Sequence, residues 1–137
     1  MVSAISTSSN YILQPSLVEM HRKSLDYLSA TALWKRELQF FQKLLDTYAS
    51  RFSSLEDKKR VDHFQSIITY YSGELVGQLN KNLRQHEGNL ARMLQSKNES
   101  DTQYFKEHKD LMDQMESFTK SYNELHHDLY DFVERVM

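Results

Sequence analysis

A chain of 137 residues with a formal charge of −2 and no cysteine is long enough to bury one core unaided, and it excludes disulfides, thiolate metal ligands and cysteine nucleophiles. Without a surplus of lysine and arginine or a basic block, neither nucleic acid nor an anionic membrane is an expected partner. Hydrophobic residues at 39%, aromatics at 12%, three glycines and one proline describe a globular, turn-poor chain, which favours an all-α fold over a β fold.

Residues 1–15 are rich in Ser and Thr, end at Pro15 and show no periodic pattern; they read as a flexible tail ahead of a single helical-bundle domain, 16–137. The start lacks the basic region and apolar run of a signal peptide, and no stretch of about eighteen apolar residues suits a membrane span. A cytoplasmic protein is the expectation. Three Ser-initiated capping boxes, Ser16 with Glu19, Ser53 with Glu56 and Ser100 with Gln103, mark three helix starts, each able to satisfy two orphaned backbone donors.

In the first helix the seam Trp34, Leu38, Phe41, Leu45, Tyr48, Phe52 steps by fours and threes, the spacing of one helix face. An earlier seam, Val18, His21, Leu25, Leu28, Ala32, joins it through a skip near Thr31. The second helix reads Val61, Phe64, Ile68, Tyr71, Leu75, Leu79, Leu83, His86, Leu90, Met93, with successive fours around Leu79 that should unwind a supercoil locally. It carries Gly73, Gly77 and Gly88, each costing about 1 kcal/mol against alanine in a helix interior. A break at Gly73/Gly77 or at Gly88 would give four segments instead of three. The third helix is a sustained heptad: Tyr104, His108, Leu111, Met115, Phe118, Tyr122, Leu125, Leu129, Phe132, Val136. Its flanking stripe, Phe105, Met112, Thr119, His126, Val133, widens the apolar face enough to pack on two neighbours. The expected architecture is an antiparallel up-down-up bundle of three long helices.

With short connections, facing positions of the first two helices sum to about 106 and those of the last two to about 199. On that ruler His21, His86 and His108 converge at one end of the core, with Glu87 and Asp113 at their level. Three imidazoles and a carboxylate are a ligand set for a divalent metal, zinc or iron; a polar layer that fixes register through hydrogen bonds is the competing reading. The ruler also sets Gly73 beside Trp34, whose indole would fill the space above the glycine. In the third helix His126 and Asp131 echo the His-x4-Asp spacing of hemerythrin-like proteins, and Glu124 with His127 a single Glu-x-x-His. The remaining pairs of the hemerythrin-like and ferritin-like sets are missing from the sequence.

The run Trp34-Lys-Arg-Glu37-Leu38-Gln-Phe40-Phe41, the segment Val61-Asp-His63-Phe64-Gln65, His86-Glu87, and Met115-Glu-Ser-Phe118 onward through Asn123-Glu124-Leu125 to Met137 resemble a family of small uncharacterised helical-bundle bacterial proteins of the Bacteroidetes type. The resemblance implies a free-standing bundle and carries no activity, cofactor or site residue. No phosphate-cradling loop or nucleophile motif stands in the sequence, so the leading expectation is a non-enzymatic protein-interaction or scaffold module, with a protein partner or a second copy as its ligand. Tyr27, Leu33, Phe40, Tyr70 and Val76 flank the seams and are the candidate partner surface. The alternative is a metal-binding bundle built on the histidines.

Overall fold

The computed structural model describes residues 15–96 and 102–137. Helix α1 spans Pro15–Tyr48, α2 Leu55–Tyr70, α3 Val76–Gln95 and α4 Thr102–Glu134. The α2 and α3 helices are joined by a π-helical turn, Tyr71–Leu75, and together make one continuous second helix. Gln42 meets Gln65 while Thr31 meets Asn80, so α1 and the second helix are antiparallel. Trp34 meets Phe118 while Arg51 meets Val136, so α1 and α4 are parallel. The result is the expected up-down-up bundle of three long helices, none of them, among the described residues, long and apolar enough to cross a membrane.

The helix starts do not fall where the capping boxes in the sequence set them. Pro15 opens α1, which sets Ser16 inside the helix; a missing N–H costs nothing at a first helical position. The α2 cap is Ser54, whose hydroxyl accepts from the Asp57 N–H at 3.1 Å, in place of the expected Ser53 and Glu56. Ser100 lies outside the described residues. Between α1 and α2 a 3-10 turn, Ala49–Arg51, drops Phe52 into the core, where it stacks on Phe132 with ring centroids 4.1 Å apart. Arg135 closes this end by a two-pronged bond to Asp57 at 2.9 and 3.0 Å; that guanidinium holds the Asp57 carboxyl below its usual range.

The main core gathers Leu38, Phe41, Leu45, Ile68, Leu83, Met115 and Leu129 with an aromatic cluster of Trp34, Phe118 and Tyr122. Every seam residue of α4 from Tyr104 to Phe132 is buried, as the heptad requires. The first half of α1 departs from the sequence reading. Val18 and Leu25 are 44% and 45% exposed, Ala32 is exposed, and the buried positions are Leu17, Ser24 and Thr31. These lie in one unbroken heptad with Leu38 and Leu45, so α1 has no skip; two small polar residues occupy core positions. Thr31 is satisfied there, donating to the Leu28 carbonyl at 2.7 Å and accepting from the Asn80 amide at 2.9 Å.

The second helix does not break. Both ends of the π turn keep right-handed helical dihedrals, and the Val76 N–H reaches the Tyr71 carbonyl five residues back. A π turn holds one residue more than an α turn. That extra residue is the physical content of the successive fours: the buried set Phe64, Ile68 and then Val76, Leu79, Leu83, His86, Leu90, Met93 stays on one face because the turn absorbs it. Gly73 does not receive the Trp34 indole. A Cβ at Gly73 or Gly77 would meet no atom within 4 Å, and Trp34 packs on α4 instead. Gly77→Ala therefore gains helix propensity without a clash, and we expect it to stabilise the fold by about 1 kcal/mol, read as a melting temperature raised by about 3 to 5 °C.

Candidate functional site

Polar core residues concentrate at the end of the bundle where α1 begins, α3 ends and α4 starts. The apolar residues there form a small separate cluster, Leu17, Leu90, Met93 and Tyr104, and between it and the main core sits the polar layer. His86 of α3 and His108 of α4, 3% and 7% exposed, face one another with His86 Nε2 and His108 Nδ1 at 2.9 Å. The Tyr104 ring stacks on His86 at 4.5 Å between centroids and 5° between planes. From α1, His21 Nδ1 comes within 2.5 Å of Glu87 Oε1. Ser24 Oγ, His86 Nδ1 and the Tyr104 hydroxyl are enclosed without a hydrogen-bond partner, and both Glu87 oxygens are enclosed as well, beside His21.

The heptads explain why these groups meet. His86 and His108 occupy seam positions of α3 and α4, where a leucine would otherwise pack. Ser24 is the small buried residue at the α1 seam position of this end. Glu87 follows His86 by one residue and so points around α3 toward α1, where His21 stands just outside the seam.

Enclosure governs the protonation of the layer. Desolvation, aided by neighbouring His108, lowers His86 to about 4; desolvation and the Lys23 charge lower His108. Both imidazoles are neutral at neutral pH, and one donates to the other. Burial raises the Glu87 carboxyl, against the pull of His21, and raises Tyr104 to about 12 with help from Glu87 and Glu107. A phenol held well above its ordinary range and two imidazoles held below theirs are groups kept neutral, the reverse of an activated nucleophile or a base poised near pH 7.

The structure thus brings together two of the three candidate imidazoles. His86 meets His108, while His21, 47% exposed at its side chain, turns to Glu87. Asp113 lies apart from both pairs, on the surface of α4 opposite Lys109 at 3.4 Å. Among the described residues no group of three or more His, Asp or Glu side chains is arranged to hold a metal ion. His127 pairs with Asp131 at 3.2 Å on an exposed face, and His126 packs against Phe41 and Tyr130, so the His126/Asp131 echo is divided between two surroundings.

Sequence reasoning missed Ser24 and Thr31 as core positions, and with them the α1 side of the layer. The signal was present: running the Leu38/Leu45 heptad back by sevens lands on Thr31, Ser24 and Leu17. Comparison with protein-family models, with curated proteins and with solved structures finds no match to this chain.

Outside the layer, large apolar side chains stand in solvent. Val18, Leu25, Leu33 and Phe40 of α1 are all 44% or more exposed, as is Met137, with Tyr130 at 40%. Phe40, Leu44, Tyr130, Val133 and Met137 line an apolar crevice between α1 and the end of α4. Of the surface expected from the sequence, Leu33, Phe40 and Tyr70 are exposed; Val76 is buried and Tyr27 packs against the core, because the π turn rotates Val76 inward.

Proposed function

We propose that this protein is a non-enzymatic helical bundle that acts through protein contacts, and that the outer side of α1 with its crevice against α4 is the contact surface. The observation that carries this reading is the exposure of Leu33 and Phe40 on one helix face, continued by Tyr130 and Met137 beside Phe40. Gathered exposed apolar residues at this density are a feature of binding surfaces rather than of inert ones. The polar layer supports the same reading from the other side: its two imidazoles are neutral, paired with each other and enclosed, suited to fixing helix register.

The test is site-specific photo-crosslinking in the cells of origin. A photoreactive residue at Leu33 or Phe40 should give discrete adducts, and one at Asp62 or Lys81, exposed positions on the second helix, should give none. Absence of adducts at 33 and 40, or equal labelling at all four positions, overturns the proposal.

A further inference from the structure

The outer face of α1 has a symmetry that selects its occupant. Val18, Arg22, Leu25, Ser29, Leu33, Arg36 and Phe40 are all exposed and step by fours and threes along one stripe. At the middle of the helix this stripe lies opposite the buried heptad of Ser24, Thr31 and Leu38. The order is palindromic about Ser29: Leu25 and Leu33 stand four residues to either side, Arg22 and Arg36 seven, Val18 and Phe40 eleven. A closed two-fold interface pairs a patch with itself in reverse order, which is what a palindromic stripe provides. We propose that a second copy of this chain docks here, α1 against α1 in antiparallel register, with the two Ser29 residues at the axis.

Apolar and polar chemistry both fit that register. Leu25 of one copy covers Leu33 of the other, and the small Ser29 lets the backbones approach at the crossing. Val18 of the second copy meets Phe40 and enters the crevice formed with Leu44, Tyr130 and Met137. Arg36 falls opposite Arg22, whose charge is already held by Glu19 of its own helix at 3.1 Å. One turn from Arg22 stands Asp26, placed to take Arg36 of the other copy. A helix pair over residues 18–40 is about 33 Å long and roughly 10 Å wide, which covers on the order of 700 Å² in total. That is below the roughly 1,200 Å² of a standard stable interface, so the dimer is a weak, reversible one.

The inference rests on the contact surface proposed above and narrows its occupant. Sedimentation equilibrium of the full chain from about 1 to 500 µM should show a reversible monomer–dimer equilibrium. Leu25→Glu or Leu33→Glu should weaken association at least tenfold with helicity unchanged by circular dichroism. Arg36→Glu should weaken it less, and Asp26→Arg/Arg36→Glu should restore it. Because the chain has no cysteine, a single introduced thiol reports register: Ser29→Cys should be joined to itself by a short bis-maleimide, and Val18→Cys should not. A monomer at all concentrations, a dimer indifferent to Leu25→Glu and Leu33→Glu, or equal self-crosslinking of Val18→Cys and Ser29→Cys overturns the dimer. A monomer that still forms adducts through positions 33 and 40 in cells overturns the second copy alone and leaves the contact surface in place.

Discussion

Acidification from pH 7 to pH 5 should cost this fold about 2 kcal/mol through the His86/His108 pair alone, seen as a melting temperature lower by about 6 to 10 °C. An imidazole in the unfolded chain takes its proton near 6.5, whereas His86 in the fold does so at about 4 and His108 is displaced in the same direction. Between those limits the unfolded state binds more protons, so the stability present above pH 6.5 is lost as pH falls toward 4. The geometry supplies the cause. A proton on the facing nitrogen sets two N–H donors against one another across 2.9 Å, and a proton on His86 Nδ1 places a charge where no protein group bonds it. The pair takes up its first proton as a unit. Glu87 has the opposite sign: its raised carboxyl weakens the fold once ionised, and protonation relieves that cost at the acid end of the range. His86→Leu/His108→Leu isolates the pair, since two apolar residues of similar volume leave no half-satisfied bond. The double variant should match the wild type within about 1 kcal/mol at pH 7 and escape the His-dependent loss at pH 5. Equal losses in both proteins would show that the acid sensitivity arises elsewhere.

That layer is also where the sequence was hardest to read. The α4 heptad was legible without a break because each of its seam positions is apolar, aromatic or histidine, and burial followed the pattern from Tyr104 to Phe132. The convergence of His86 and His108 was legible as well, because two antiparallel helices with a short connection leave little freedom of register. In the first half of α1 the apolar residues mislead. Val18 and Leu25 look like seam residues, but the helix is oriented by the longer apolar run from Trp34 to Phe52, and Ser24 and Thr31 are carried inward by it. Hydropathy marks what burial favours residue by residue, whereas a rigid helix of 34 residues settles its orientation as a unit. Polar residues are then carried into the core with it: Thr31 finds a partner there in Asn80, whereas the Ser24 hydroxyl finds none. The direction of His21 followed from the same displacement: one position outside the true seam, it stands half exposed and reaches the enclosed carboxylate of Glu87.

Deleting Gly73 should leave the bundle folded and within about 1 kcal/mol of the wild type, although a one-residue deletion inside a helix normally turns everything beyond it by about 100°. The π turn holds one residue more than an α turn, and removal of Gly73 lets it close as α. Val61, Phe64, Ile68, Tyr71, Val76, Leu79, Leu83, His86, Leu90 and Met93 then alternate by threes and fours without interruption, on the face they already bury. No neighbour depends on the glycine, since nothing lies within 4 Å of its Cβ position, and its loss removes a poor helix former. The segment beyond is drawn back by about an ångström, a shift the Asn80 and His86 contacts have to follow. Deleting Asn82 provides the contrast, because it has no π turn to absorb it. His86, Leu90 and Met93 would rotate off the core, and losing the burial of the last two costs about 1.5 to 3 kcal/mol each, so that variant should melt far lower or fail to fold. Thermal melts of the two deletions beside the wild type decide the matter. If the Gly73 deletion is as damaging as the Asn82 deletion, the extra residue serves something other than register, and the π turn itself becomes the feature to explain.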